Sequence, residues 1–431
     1  MEATQHNRTI NGKTYYRGGN QLHGEVNCSG AKNSGLPILA STLLLDTPAK
    51  IGNLPHLQDI TTMLELLNSM GASINFDEDG YIEIDSSNIS VPEARYELVK
   101  TMRASILVMG PLVAKYGKAK ISQPGGCNIG TRPIDFHLDG LEKMGAKIKS
   151  DARYIYLEAD KLNPIDFIFP KISVTGTENL MMAAAIIEGK TVLKNCAKEP
   201  EVVELANFLN DCGANIVGAG ESSIEINGAK SLKSDKWDVL FDRIEAGTYM
   251  VAGAITNGHV RINKIKPETI KIISSKLIEM GAIVNSGNDW VEVDATKSEL
   301  ISKDISTKPF PGFPTDMQAQ FMALNSISNG SSIIEETVFE NRFQHVGELK
   351  KMGADISLDK NKASVKGVSN LVGAVVSASD LRASASLVLA GLVGKNRTQI
   401  EDIYHIDRGY ECIEEKLTKL GAEIFREPAE Y

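Results

Sequence analysis

An eight-residue phrase recurs along the 431-residue chain, and it constrains the fold more than any other feature of the sequence. The phrase reads L-x-x-[MCL]-G-A-x-[IV] and stands at Leu67–Ile74, Leu141–Ile148, Leu209–Ile216, Leu277–Val284, Leu349–Ile356 and Leu417–Ile424. Successive glycines of the phrase are 74, 68, 68, 72 and 68 residues apart. Recurrence at so even a period predicts six related structural units.

The phrase describes the end of a helix and the start of a strand. The leucine and the residue three positions later share one helix face, the glycine adopts the left-handed conformation that ends the helix, and Ala with Ile or Val begins a strand. A helix rich in small residues, which we predict to be buried, precedes each phrase at Ala31–Leu45, Met102–Ala114, Thr177–Glu188, Ala246–Thr256, Thr315–Ile327 and Asp380–Leu392. Each unit therefore combines a buried helix, a strand, an amphipathic helix and a strand pair.

Units of this size need partners to bury their apolar faces, and six of them can form a solenoid, a ring or two lobes of three. Two observations favour lobes. The polar stretch Lys230–Asp238 separates the third unit from the fourth, and Tyr15–Asn27 resembles a strand with no partner in the first unit. We expect an α/β fold in which residues 32–240 form lobe one. Residues 1–31 and 241–431 form lobe two, which the N-terminal strand closes.

Composition excludes several classes of function. A net charge of −9 provides no general basic field for nucleic acid. The N-terminal residues lack the apolar core of a signal peptide, and the longest apolar runs, 35–45 and 383–393, are too short to cross a membrane. Five scattered cysteines and seven dispersed histidines show no metal-ligand spacing. The sequence thus predicts a cytoplasmic protein with neither a metal nor a membrane partner.

The stretch Gln123–His137, QPGGCNIGTRPIDFH, is the first candidate for chemistry. Glycines on both sides of Cys127 loosen the backbone and favour an exposed thiol, and the nearby Arg132 favours its thiolate form. The alternative is a glycine turn that carries a small buried side chain, since free cysteines are usually buried. This stretch alone does not decide between the two interpretations.

Cations at the starts of buried helices are the second group of candidate functional residues. Lys32, Arg103 and Arg382 stand where the helix dipole disfavours positive charge and where free N–H groups favour an anion. One such side chain could simply extend to solvent, but three in equivalent units favour a shared anionic ligand. Lobe one supplies Lys32, Arg103 and Arg132, and lobe two supplies Arg342, Arg382 and Arg408. A substrate that carries a phosphate and a carboxylate, and that both lobes bind, would explain why the cations are divided between the lobes.

Seven motifs together resemble the enolpyruvyl transferase family, from Gly24 to Gly421. They are GAKN (Gly30–Asn33), TMRAS (Thr101–Ser105), PGGCNIGTRPID (Pro124–Asp135), PGFPTDMQAQ (Pro311–Gln320), FENRF (Phe339–Phe343), DLRASASLVLAG (Asp380–Gly391) and HIDRGY (His405–Tyr410). The resemblance implies a two-lobed inside-out α/β barrel of six βαβαββ units, three per lobe, with the active site in the cleft between the lobes.

The resemblance also implies a reaction. The branch of the family with these motifs transfers the enolpyruvyl group of phosphoenolpyruvate to the 3′-hydroxyl of UDP-N-acetylglucosamine. The transfer proceeds by addition and elimination through a tetrahedral ketal and releases phosphate. The reaction is the first committed step of peptidoglycan synthesis and uses no metal or organic cofactor. The implied partners are these two small molecules, and we expect a monomer or a weak oligomer.

Site residues follow from the matching motifs. Cys127 would protonate the methylene carbon, form a covalent adduct and react with fosfomycin, while Asp316 would act as general base on the sugar hydroxyl; Lys32 and Arg408 would also be catalytic. Phosphoenolpyruvate would be held by Lys32, Asn33, Arg132, Arg342, Arg382 and Arg408. The sugar nucleotide would contact Asn33, Arg103, Arg132, Pro133, Ile134, Asp135, Phe136, Lys171, Ile172, Ser173, Val174, Asp316 and Val338.

Three alternatives remain open. A related transferase could act on another acceptor, such as a uridine nucleotide; shikimate 3-phosphate is disfavoured because its transferases lack the Cys127 loop. A non-catalytic binding protein or a solenoid scaffold would use the same units without the chemistry. Two departures from the family pattern bear on the acceptor. Gln58 stands where relatives often have Lys, and Thr175-Gly176-Thr177 stands where Gly-Ala-Thr is usual.

Overall fold

The computed structural model describes residues 12–99, 102–123 and 134–427. Within these ranges 24 strands form six four-stranded sheets, one for each phrase of the repeat. In each sheet one edge strand runs parallel to its neighbour, and the other two strand pairs are antiparallel. The prediction of an α/β fold built from six similar units is therefore confirmed.

Three sheets belong to the first half of the chain. Strand numbers follow the sequence, whereas the order within each sheet is the order of neighbours in space. The first contains β14 (Lys236–Asp238), β3 (Ala49–Gly52), β5 (Ile82–Asp85) and β4 (Ser73–Phe76). The second contains β6 (Glu93–Ala94), β7 (Lys118–Ser122), β9 (Tyr154–Glu158) and β8 (Lys147–Ser150). The third contains β10 (Asp166–Ile168), β11 (Lys190–Lys194), β13 (Ser223–Asn227) and β12 (Asn215–Val217).

The other three sheets repeat this order. The fourth contains β2 (His23–Asn27), β15 (His259–Asn263), β17 (Trp290–Asp294) and β16 (Ile283–Ser286). The fifth contains β18 (Ile305–Ser306), β19 (Ser331–Glu335), β21 (Lys362–Lys366) and β20 (Asp355–Asp359). The sixth contains β22 (Val375–Ser377), β23 (Arg397–Glu401), β1 (Lys13–Arg17) and β24 (Glu423–Glu427).

Almost wholly buried helices lie at the centre and the sheets lie outside them. The central helices are α1 (Lys32–Ser41), α4 (Met109–Tyr116), α6 (Val174–Ala184), α8 (Arg243–Ile255), α10 (Gln318–Asn325) and α12 (Leu381–Val393). The amphipathic helices are α2 (Gln58–Met70), α5 (Asp135–Lys143), α7 (Pro200–Asp211), α9 (Lys271–Met280), α11 (His345–Lys351) and α14 (Ile413–Lys419). Short helices are α3 (Tyr96–Val99), α13 (Tyr404–Asp407) and the 3-10 segments Thr42–Leu44, Arg103–Val108, Pro267–Ile270 and Thr315–Met317. None of the helices in the described ranges has the length and apolar composition needed to span a membrane.

The glycine of every phrase has the backbone conformation that the sequence predicts. Its φ angle is +117° at Gly71, +109° at Gly145 and Gly213, +106° at Gly281, +90° at Gly353 and +104° at Gly421. Residues with a Cβ rarely adopt this left-handed conformation, so glycine allows each amphipathic helix to stop and the next strand to begin at once.

Two separate hydrophobic cores fill the molecule. One is made of residues between 36 and 239, and the other combines residues 16–28 with residues between 244 and 422. These cores support the proposed lobes, 32–240 and 1–31 plus 241–431, whose boundaries stay a prediction.

The N-terminal segment differs from the expectation of one strand over Tyr15–Asn27. It forms two strands, β1 and β2, separated at Gly19, where φ is +116°. β1 lies between β23 and β24, in the position that a hairpin strand fills in the other sheets, and β2 pairs with β15. The polar stretch Lys230–Asp238 also differs, because its end forms β14 and pairs with β3.

Two chain segments connect the halves and run side by side. The amide of Ala31 donates to the carbonyl of Leu240 at 2.7 Å, and the amide of Asp242 donates to the carbonyl of Ser29 at 2.8 Å. A Cβ at Gly30 would lie 1.7 Å from the carbonyl oxygen of Asn53, so this close approach requires glycine. The crossing leads directly into Lys32 at the start of α1.

Substituting Gly30→Ala should lower the thermal midpoint by several degrees, because the connecting segment must move away from Asn53. The matched control is Gly347→Ala on α11, where an added Cβ meets nothing within 4 Å. That variant should be neutral or gain up to about 1 kcal/mol from helix propensity. Equal thermal midpoints for Gly30→Ala and the unmodified protein would contradict the tight crossing.

Candidate active site

A buried ion cluster joins the two halves at the start of α1. The Nζ atom of Lys32 lies 3.0 Å from Oδ2 of Asp59, and Nε of Arg408 lies 3.0 Å from Oδ1 of the same carboxylate. Lys32 also donates to the carbonyl oxygen of Arg408 at 3.1 Å. Asp59 belongs to the first turn of α2 and Arg408 follows α13, so the cluster brings three distant segments together.

Asp59 compensates one of the two positive charges of Lys32 and Arg408. Burial alone would raise its pKa, but Lys32 and Arg408 outweigh that effect and the pKa lies below its ordinary value. The sequence analysis did not select Asp59 as a site residue. An aspartate in the first turn of a helix is so common that its position gave no signal by itself.

A second ion cluster lies wholly in the second half of the chain. Asp316 is in the 3-10 segment Thr315–Met317, and its Oδ1 atom lies 2.6 Å from Nη2 of Arg342. Its Oδ2 atom lies 3.4 Å from Nη2 of Arg382. Both arginines are buried, with 6% and 3% of their surface exposed, whereas the Asp316 side chain retains 27% exposure. The carboxylate therefore stays partly accessible although both of its oxygens pair with buried arginines.

The charge state of Asp316 follows from these contacts. Burial would raise its pKa, but Arg382 and Arg342 outweigh burial and hold the pKa well below the usual range. In this state Asp316 is ionised and is a weak base, because both of its oxygens are engaged by cations.

Arg382 has hydrogen-bonding capacity that nothing in the described part of the chain uses. Its guanidinium pairs with Asp316 through Nη2 and also interacts with Tyr410, but Nε and Nη1 are buried and have no hydrogen bond of good geometry among the described residues. The start of α12 is capped by Asp380, whose Oδ1 accepts from the backbone amides of Arg382 and Ala383 at 2.8 and 2.9 Å. Buried donors of this kind normally have partners, so the two free positions indicate a site for an anionic ligand.

Polar side chains behind Asp316 fix its position. The Nε2 atom of Gln320 donates one hydrogen to the carbonyl of Asp316 at 2.9 Å, and its second hydrogen faces the hydroxyl oxygens of Thr248 and Tyr410, which both lie 3.2 Å away. Tyr410 follows Arg408 by two residues, and its ring centroid lies 5.6 Å from the guanidinium carbon of Arg382. Tyr410 therefore links the two ion clusters.

Glu336, which the sequence analysis also missed, organises the segments on both sides of the site. Its Oε2 atom accepts from the hydroxyl of Thr315 at 2.7 Å, and its Oε1 atom accepts from the amide of Val338 at 2.8 Å. One buried carboxylate thus holds the residue before Asp316 and a residue predicted to contact the sugar nucleotide.

The residues predicted to hold the sugar nucleotide lie at helix starts and loop ends. Arg103 begins its 3-10 segment and is half-buried; Asn33 and Val338 are exposed. Ile134, Asp135 and Phe136 stand at the start of α5, and Lys171, Ile172, Ser173 and Val174 stand at the start of α6. Cys127, Arg132 and Pro133 lie outside the described residues.

Known proteins are similar to this chain in sequence over almost its whole length. The family profile described as EPSP synthase (3-phosphoshikimate 1-carboxyvinyltransferase) matches residues 16–417. A protein of Coxiella burnetii (strain Dugway 5J108-111) named UDP-N-acetylglucosamine 1-carboxyvinyltransferase is 55% identical over 410 residues, which cover 95% of this chain and 94% of the relative. Proteins of the same name from two further strains of that species match equally.

Solved structures of enolpyruvyl transferases have the same fold as this chain. The enolpyruvyl transferase NikO from Streptomyces tendae superposes with a TM-score of 0.87 at 25% identity, over 97% of this chain and 100% of that one. An EPSP synthase from Acinetobacter baumannii superposes with a TM-score of 0.76 at 18% identity, over 96% and 100% of the two chains, and so supports the fold alone. The family match and the close relatives confirm the resemblance seen in the motifs, and this chain belongs to the EPSP synthase family of enolpyruvyl transferases.

Proposed function

We propose that this chain transfers the enolpyruvyl group of phosphoenolpyruvate to the 3′-hydroxyl of UDP-N-acetylglucosamine and releases phosphate, as a cytoplasmic step of peptidoglycan synthesis. The observation that carries the proposal is buried Arg382, whose Nε and Nη1 donors lack partners among the described residues beside Arg342 and Asp316. The name of the 55% identical relatives supports the choice of acceptor.

Phosphoenolpyruvate matches the charges of the two ion clusters. It carries a phosphate and a carboxylate, and planar guanidinium groups bind both in a bidentate manner. Arg342 and Arg382 present cations from lobe two, while Lys32 and Arg408 meet at the boundary between the lobes. Arg132, from the segment outside the described residues, completes the proposed set.

Substrate binding would also prepare the general base. An anion that engages Arg342 and Arg382 competes with Asp316 for the same donors, so part of the charge that depresses the pKa of Asp316 is neutralised. The carboxylate then becomes a stronger base at the time when the sugar hydroxyl arrives. The low pKa that Asp316 has beside the two arginines is therefore compatible with the role proposed for it.

The chemistry needs two proton transfers in the addition step. The sugar oxygen bonds to C2 of phosphoenolpyruvate, Asp316 receives the hydroxyl proton, and Cys127 gives a proton to the C3 methylene. In the elimination step the bond from C2 to the phosphate oxygen breaks and phosphate leaves with the bonding electrons and the proton held by Asp316. The new methyl group returns a proton to the Cys127 thiolate, which restores the double bond and both residues. The role of Cys127 rests on the motif Pro124–Asp135.

Phosphate release should identify the acceptor. Phosphoenolpyruvate would be offered separately with UDP-N-acetylglucosamine, UMP and shikimate 3-phosphate, and we expect release only with the sugar nucleotide. Release with UMP instead would keep the reaction class and change the acceptor. No release with any acceptor would contradict the proposed activity and favour a binding protein.

Fosfomycin should abolish that release by modifying one thiol. Three of the four described cysteines are buried and Cys412 is half-buried. Burial raises the pKa of both Cys196 and Cys212 to about 12 and raises that of Cys28 well above its ordinary value. Their thiolate forms are therefore scarce near neutral pH. Mass spectrometry of peptides should find the adduct at Cys127 and none in Cys127→Ser, which should also lose turnover while it stays folded. An adduct at a buried cysteine, or full activity of Cys127→Ser, would refute the role of Cys127.

Asp316→Asn should lower kcat by about 10²- to 10⁴-fold, since the proton acceptor is lost. The same variant should bind inorganic phosphate more tightly, because Arg342 and Arg382 lose their carboxylate partner and become available to an anion. The matched control is Asp304→Asn, an exposed aspartate of the same lobe, whose Oδ1 accepts only from the Ile333 amide in the described structure. Weaker phosphate binding in Asp316→Asn, measured by calorimetry, would count against the competition between Asp316 and the substrate anion.

A further inference from the structure

We infer that His137 is a positioning residue for the nucleotide acceptor. It joins α5 to α6 directly and, through Asn179, to the segment that begins at Arg103, and all three segments carry predicted acceptor contacts. This inference rests on the proposed function. His137 lies on α5 and is 2% exposed. Its ring nitrogens contact Asn179 and Thr175, both on α6.

Asn179 has an orientation that its backbone partners determine. Its Oδ1 atom accepts from the amide of Gly110 at 2.6 Å, and its Nδ2 atom donates to the carbonyl of Ile106 at 3.0 Å. A backbone amide can only donate and a carbonyl can only accept, so the side-chain amide cannot be reversed. Asn179 thereby joins α6 to the 3-10 segment that begins at Arg103.

This orientation also determines the tautomer of His137. The second hydrogen of Asn179 Nδ2 points to Nδ1 of His137 at 2.8 Å, so Nδ1 must be the acceptor. The ring hydrogen is therefore on Nε2, which lies 3.3 Å from the hydroxyl oxygen of Thr175. Every polar atom of the His137–Asn179 pair consequently has a partner, and the ring has one defined orientation.

The environment keeps this ring neutral. Burial lowers the pKa of His137 to about 4, and the nearby cation of Arg103 acts in the same direction. A protonated ring would lose the acceptor at Nδ1 and would repel Arg103. The neutral form required by the hydrogen bonds is thus the form present at neutral pH.

Glycines allow the segments to meet closely around this pair. A Cβ at Gly110 would lie 2.3 Å from Oδ1 of Asn179, and a Cβ at Gly140 would lie 2.3 Å from a methyl carbon of Leu180. The backbone at Gly110 and helix α5 therefore both pack directly against α6, and His137 lies where α5 and α6 meet.

Each of the joined segments begins with residues predicted to contact the sugar nucleotide. The 3-10 segment begins at Arg103, α5 begins with Asp135 and Phe136, and α6 begins with Val174 directly after its capping residue Ser173. Loss of the His137 hydrogen bonds would let the start of α5 move relative to α6 and to the segment that begins at Arg103, which Asn179 still joins to each other. The distant cations of lobe two, which the proposal assigns to phosphoenolpyruvate, would keep their positions.

Steady-state kinetics of three variants test the inference. His137→Phe keeps a ring of similar size and removes both hydrogen bonds, and His137→Asn retains an acceptor near the position of Nδ1. The control Thr191→Val removes a buried side-chain hydrogen bond in the same lobe, where the Thr191 hydroxyl accepts from the Ile165 amide at 3.3 Å.

We expect His137→Phe to raise the KM for UDP-N-acetylglucosamine about tenfold or more. The KM for phosphoenolpyruvate and kcat should change less than the acceptor KM, because Lys32, Arg342, Arg382 and Arg408 lie on other segments and only Arg132 of the assigned cations precedes α5 directly. His137→Asn should recover part of the acceptor KM, and Thr191→Val should leave it unchanged.

Two results would overturn this inference and leave the proposed function intact. One is an unchanged acceptor KM in His137→Phe, and the other is an equal rise in Thr191→Val, which would indicate general destabilisation. Absence of phosphate release by the unmodified enzyme with UDP-N-acetylglucosamine is a different result, because it would overturn the proposed function and this inference with it.

Discussion

Buried cations at the boundary between the lobes are the constraint on which the site depends. Lys32, Arg342 and Arg382 are almost completely removed from water, and an unpaired buried charge is strongly destabilising. Asp59 and Asp316 supply compensating negative charge. The site can still attract an anion, because the carboxylates leave donors of Arg382 without a hydrogen bond among the described residues.

The architecture explains how these charges come to meet. Each central helix is buried along nearly all of its length, so a polar side chain can reach the space between the lobes chiefly from a helix end or a loop. The repeat places one such end in every unit, and the paired crossing segments at Gly30 bring the start of α1 to the boundary between the lobes. The same principle operates within lobe one, where His137 and Asn179 join segments of two consecutive units.

The sequence predicted the repeated architecture because its signals are local. A glycine that ends a helix requires a positive φ angle wherever it occurs, and all six of these glycines have one. Features that depend on long-range contacts were missed or only partly predicted. Asp59 becomes a site residue only because Arg408 lies beside it, 349 residues away in the chain. The division of the N-terminal segment into β1 and β2 depends on vacant positions in the sixth and fourth sheets, which no local pattern reveals. His137 belongs to the quoted stretch Gln123–His137, but its burial could not be read from residue type.

A crystal structure of the enzyme with phosphoenolpyruvate and UDP-N-acetylglucosamine would test the central claim most directly. The account predicts a phosphate or carboxylate oxygen about 2.7–3.1 Å from Nε or Nη1 of Arg382, with Lys32 contacting the same ligand. It also predicts that the carboxylate of Asp316 loses part of its contact with Arg342 or Arg382 and faces the sugar hydroxyl. A ligand bound elsewhere, with both ion clusters unchanged, would contradict the account.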